Sequence, residues 1–109
     1  MGKENMPKNE IINEMENMLK IAADSTRLKI MFSLLDDDIE KEIIHERCVS
    51  DIQTIVGASQ SLVSHQLKVL KDADLVNTRK EGTKVYYSLK YEHVRKLLEV
   101  VLEHVLEKQ

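Results

Sequence analysis

"SDIQTIVGASQSLVSHQLKVLKDADLV", residues 50–76, is the stretch that decides the fold. Its opening part reads as a helix of about two turns: Ser50 and Gln53 make a capping-box pattern at the start, and Gly57 is a natural stop. After a tight connection a second helix begins. Leu62, Val63, Leu67 and Leu70 fall on one side of it, while Gln60, Ser61, Ser64, His65 and Lys68 fall largely on the other. A short helix, a small turn and a second helix with a polar face make a helix-turn-helix pattern. An α-helix fits the major groove of DNA, and short polar side chains near its N-terminal end can donate to and accept from base edges. Gln60 has the chemistry for bidentate contact with adenine, and Ser64 and His65 can reach bases or flanking phosphates.

A polar helix face also describes any solvated helix, so the flanking sequence matters. Beyond Asp74, the β-prone runs "LVNTRK" and "KVYYSL" flank "EGT", the pattern of a hairpin that turns at Gly82. Arg79, Lys80 and Lys84 cluster at its tip, where they would lie by the adjacent phosphate backbone or minor groove and supply salt-dependent affinity. The charge is distributed accordingly. Residues 57–90 carry 6 Lys/Arg and 3 Asp/Glu, although the whole chain has a net charge of −3. Local charge matters more for phosphate contact than the total.

Upstream, residues 1–6 read as frayed and Pro7 suits the first turn of a helix in which Ile11, Met15, Met18, Leu19 and Ala22 form one apolar stripe. Ser25 then offers an N-cap for a second helix carrying Leu28, Met31, Leu34 and Leu35, ended by the aspartates at 36–38. The run "IEKEIIHERCV" fits either a short helix or a loop entering a brief strand at residues 47–49, and the second is favoured. From Lys90 onward Val94, Leu97, Leu98, Val101, Leu102 and Val105 give a long terminal helix with a broad apolar face. The expected architecture is mainly α with a small β-hairpin wing, a winged helix-turn-helix occupying residues 1–109.

Composition narrows the function classes. At 109 residues, with 42% hydrophobic and 32% charged, the chain has the balance of one soluble domain. Its lack of a long apolar run or an apolar leader predicts a cytoplasmic protein with no membrane partner. A single cysteine, Cys48, excludes an intrachain disulfide and a multi-cysteine zinc cage built by one chain. No nucleophile with a nearby base and no phosphate-binding glycine loop is visible, so neither an enzyme nor a small-molecule substrate is expected.

Two histidines sit on the terminal helix, His93 and His104. Eleven steps return to nearly the same face but about 16 Å along the axis, too far for one ion to reach both. Either the spacing is accidental or a second copy of the helix completes the arrangement.

The blocks "ADSTRLKIMFSLL", "CVSDI", "SQSLVSHQLKVLKDADLV" and "KEGTKVYYSL" resemble, in order, those of the ArsR/SmtB family of winged-helix metal-responsive repressors, over roughly residues 15–107. The resemblance implies a homodimer joined through its first and last helices, and operator DNA bound without metal and released when metal binds. The family's recognition positions fall on Gln60, Ser61, Ser64 and His65. One departure is Asp74, where the family usually has Gly at the turn. Asp tolerates the left-handed conformation better than most residues. The family's Cys-x-Cys site is broken here, because Ser50 replaces the partner of Cys48 and His45 is the one imidazole nearby. Its terminal-helix site maps onto Tyr91, His93, His104 and Glu107, with 90–107 as the dimerisation and sensing helix. His104 and Glu107 stand at i and i+3, so both can face one ion. Tyr91 stands where the family has Asp. A neutral phenol is rarely a zinc ligand, so the fourth position falls to Tyr91, to water, to Glu92 or Glu103, or stays empty. Imidazole and carboxylate donors suit Zn(II), with Ni(II) or Co(II) behind. The alternatives are a repressor with a dead metal site answering a redox signal at Cys48, and a helical interaction or metal-trafficking protein that does not bind DNA.

Overall fold

The computed structural model describes residues 7–35 and 46–108. Pro7 lies just outside the first helix, with its carbonyl accepting from the amides of Glu10 and Ile11, and α1 runs Lys8–Ala22. α2 follows at Ser25–Ser33. Its cap is Asp24, not Ser25: the Asp24 carboxylate accepts from the Arg27 amide at 3.0 Å, and Ser25 is already helical. A carboxylate at the helix N-terminus also meets the positive end of the dipole, which favours it over a hydroxyl. The helix has ended by Leu34, ahead of the aspartates, which with residues 1–6 and His45 lie outside the described residues.

The brief strand is present as β1, Arg47–Cys48. α3, Val49–Val56, starts immediately after it, so Ser50 lies inside the helix and makes no cap. Pairing of Cys48 with Tyr86 holds Cys48 extended, at φ −81° and ψ 166°, and the helix takes over at the next residue. Gly57 ends α3 at φ +73°, a conformation that costs glycine least. Three residues later α4 spans Gln60–Asp72, capped by Ser59, whose hydroxyl accepts from the Leu62 amide at 3.2 Å.

Asp74 turns the chain out of α4 with φ +64°. β2, Val76–Glu81, and β3, Lys84–Leu89, then pair antiparallel around the two residues 82–83, with Gly82 at φ +62° taking the first turn position. β1 adds to the other edge of β3, giving the order β1-β3-β2. The last helix, α5, spans Glu92–Glu107 with Tyr91 as its N-cap residue.

One core joins these elements. Ile30 and Met31 from α2 with Leu34 at its C-terminal cap, Ile52 from α3, and Val63, Leu67 and Leu70 from α4 are fully buried, and Leu89 and Val94 close the cluster from the sheet and α5. Burying each such side chain contributes about 1.5–3 kcal/mol. Leu62 departs from the sequence expectation and is 41% exposed. The buried arc of Val63, Leu67 and Leu70 spans only about 60°, and Leu62 stands roughly 80° beyond its edge. α1 and α5 contribute little to this core and leave apolar faces outward.

Candidate nucleic-acid interface and sensing helix

Burial of Val63, Leu67 and Leu70 fixes which side of α4 faces out. Ser61, Ser64, His65 and Lys68 are exposed and share an arc of about 100° opposite the core, with Gln60 at the capped N-terminus also exposed. Lys68 bonds back to Asp72 at 3.2 Å, a surface pair of little strength. The helix is held from behind by Arg27, which sequence reasoning passed over. Its Nε donates to the Ile21 carbonyl at 2.8 Å and its Nη1 to Gln66 Oε1 at 2.8 Å, so one guanidinium links α1, α2 and α4. The two arms match the fixed fork of the guanidinium.

The wing does not treat its three cations alike. Arg79 is held by Glu46 at 2.9 Å and Glu81 at 2.8 Å, and its guanidinium lies 4.8 Å from the centre of the Tyr86 ring. Those two carboxylates raise its already high pKa further. Lys80 and Lys84 are exposed and end in no ion pair among the described residues. The pairing with Glu81 was visible in the sequence, because residues two apart on a strand share a face. The pairing with Glu46 depends on tertiary topology.

Cys48 is buried; its thiol donates to Asp51 Oδ2 at 3.2 Å and lies 3.2 Å from Ser50 Oγ.

On α5, His93, His104 and Glu107 are exposed and Tyr91 is half-buried against the core. Among the described residues no three His, Cys, Asp or Glu side chains of one chain gather into a metal-binding group. The Tyr91 hydroxyl donates to Asp74 Oδ2 at 2.7 Å, and its ring stacks on His93 with centroids 5.1 Å apart and planes 25° apart. Asp74 also pairs with Lys90. The hydrogen bonds from Lys90 and then Tyr91 hold the Asp74 carboxyl below the usual carboxylate range, and Asp74 in turn raises Lys90.

A polar-faced helix seated on a buried core and flanked by a basic hairpin matches known proteins closely. The sequence profile described as bacterial regulatory protein, arsR family, matches residues 24–78. The cadmium resistance transcriptional regulatory protein CadC homolog of Staphylococcus aureus is 37% identical over 91 residues, 84% of this chain and 69% of that protein. This chain belongs to the arsR family. The transcriptional repressor SmtB homolog of Synechocystis is 35% identical over 86% of this chain and 65% of its own length. Among solved structures, the homodimeric winged helix-turn-helix DNA-binding domain of a possible ArsR-family regulator from Mycobacterium bovis superposes with a TM-score of 0.74 at 30% identity. It covers 92% of this chain and 85% of that one. The fold is therefore the winged helix-turn-helix of the arsR family, and its relatives are DNA-binding transcriptional regulators, not enzymes. Among the described residues no helix is long and apolar enough to cross a membrane.

Proposed function

We propose that this arsR-family chain is a homodimeric repressor that holds operator DNA in its metal-free state and leaves it when α5 takes up a divalent ion, with Zn(II) first and Ni(II) or Co(II) behind. The observation that carries the DNA reading is the exposed row of Ser61, Ser64, His65 and Lys68 on α4, with Gln60 at its capped end and Lys80 and Lys84 extended on the hairpin beside it. The polar row would read base edges, and the lysines would supply phosphate contact.

The dimer reading rests on what α1 and α5 leave uncovered. Met15 and Leu19 on α1 and Val100, Val101 and Leu106 on α5 are each more than half exposed, an apolar area that a lone soluble chain rarely shows. A second copy related by a two-fold axis would cover it, in keeping with the homodimeric mycobacterial relative. In an antiparallel pair of α5 helices, His93 of one copy meets His104 and Glu107 of the other.

Those three side chains would hold the ion, and their imidazole and carboxylate donors fit Zn(II). The bound ion would supply a bridge between the two copies of α5. His93, His104 and Glu107 stand at the surface of the helix, open to such a bridge. Coupling free energies of this kind are about 1–3 kcal/mol, or about 5- to 150-fold in operator affinity.

The test is a fluorescence-anisotropy titration of the protein with its upstream promoter fragment, with and without Zn(II), for wild type, His93→Ala and His104→Ala. Wild type should release DNA on adding Zn(II) and the variants should not. Equal release by all three would sink the α5 site, and failure of Gln60→Ala with His65→Ala to weaken DNA binding would sink the recognition helix.

A further inference from the structure

The junction between α4 and α5 is crosslinked more heavily than a turn requires. The backbone joins it through the Lys90 amide donating to the Leu75 carbonyl at 3.0 Å, next to the Val76–Leu89 pair of the β2–β3 ladder. Asp74 adds two side-chain links, to the Lys90 ammonium and to the Tyr91 hydroxyl. Both partners precede the first turn of α5, and Tyr91 is its N-cap residue, with a carbonyl accepting from Val94 and Arg95 at 3.2 Å. The same Tyr91 ring carries the imidazole of His93 stacked on it. Asp74 holds this position at φ +64°, a conformation that glycine takes most easily and Asp better than most other residues. The residue at this turn thus places a carboxylate at the end of α4.

We propose that Asp74 and Tyr91 are positioning residues that carry a change at His93 to the end of the recognition helix. This rests on the reading of His93 as a metal-sensing residue, and it gives Tyr91 a task other than ligation. A displacement of the His93 ring shifts the Tyr91 ring packed on it. The hydroxyl then pulls or releases the Asp74 carboxylate, one turn residue beyond the Ala73 cap of α4. Lys90 pairs with the other carboxylate oxygen, so both oxygens of Asp74 are engaged by residues that lead into α5. Coupling between sites travels through contiguous packed and hydrogen-bonded side chains, and here such a set runs without a break from His93 through Tyr91 to Asp74.

Two substitutions separate this role from a merely structural one. Tyr91→Phe keeps the ring, its stacking on His93 and its packing against the core, and removes only the hydroxyl. Asp74→Gly removes both side-chain links while relieving the positive φ, so the turn itself is retained. The experiment measures operator affinity by anisotropy with and without Zn(II), and Zn(II) affinity of the free protein by chelator competition, for wild type and both variants. Both variants should keep metal-free operator affinity and Zn(II) affinity within about twofold of wild type. The ratio of operator affinities without and with Zn(II), within the usual coupling range of about 5- to 150-fold for wild type, should fall at least threefold in each. Ratios equal to wild type would overturn the proposal and leave the backbone link at Leu75 as the route. A ratio lost in Asp74→Gly and retained in Tyr91→Phe would overturn the part given to Tyr91. A wild-type ratio of one would overturn the metal-sensing reading itself, and the coupling with it.

Discussion

Replacing Lys80 and Lys84 together by Ala should flatten the salt dependence of operator binding far more than Arg79→Ala does. Each phosphate contact adds about 0.9 to the slope of log affinity against log salt, so in the proposed dimer, with both lysines on phosphates, removing two from each of two wings would lower it by up to about 3.6. Arg79 starts from a different state. Its guanidinium already sits 2.9 Å from Glu46 and 2.8 Å from Glu81, and moving it to a phosphate would leave both carboxylates without their partner. Arg79→Ala should therefore change the slope by less than about 1 for the dimer. Glu81→Gln, which loosens that hold, should steepen it. Fluorescence anisotropy on one promoter fragment at several salt concentrations measures all the slopes. If Arg79→Ala flattens the slope by as much per residue as the lysine variant, the guanidinium is on the DNA and the account of the wing is wrong.

Leu67, fully buried at the centre of α4, should cost about 2–5 kcal/mol on truncation to Ala, read from the shift in denaturant midpoint. Leu97→Glu with Val105→Glu should leave the fold intact, since both side chains are already exposed in the single chain, but shift sedimentation to the monomer and weaken operator binding more than tenfold. Asp74 should show a signed pH effect. Its carboxyl is held low by Lys90 and then Tyr91, so its stabilisation is present above the ordinary carboxylate pKa of about 3.9 and is lost as pH falls through the lower folded value. A higher denaturant midpoint for wild type than for Asp74→Asn at pH 7 should accordingly close at acid pH, and a gap that widened there would contradict the pairing.

Much of the fold was legible because it depends on local periodicity. Val63, Leu67 and Leu70 repeat at helical spacing and are buried, Gly57 and Gly82 mark turns that need positive φ, and Asp74 adopts the left-handed conformation its side chain tolerates. Errors arose where a neighbouring choice preempted the local one. Asp24 took the cap from Ser25, β1 consumed the residues before Ser50, and a narrow buried arc left Leu62 outside. The least legible features were contacts between distant residues. Arg27 reaches Gln66 across 39 positions and Arg79 reaches Glu46 across 33, pairings fixed only once the helices and sheet have packed. For the same reason the bond of Tyr91 to Asp74 was invisible until α4 and β3 were brought together.

Arg27 has a consequence beyond holding its helix. Because a single rigid plane bridges the Ile21 carbonyl, at the end of α1, and Gln66, on α4, it fixes how far α4, the proposed recognition helix, stands from α1, proposed to face a second copy. In the proposed dimer, the distance between the two copies of α4 would then be gauged partly by the width of one guanidinium. A lysine keeps the charge but cannot hold both ends. Arg27→Lys should therefore blur the spacing the protein accepts between half-sites more than it lowers stability.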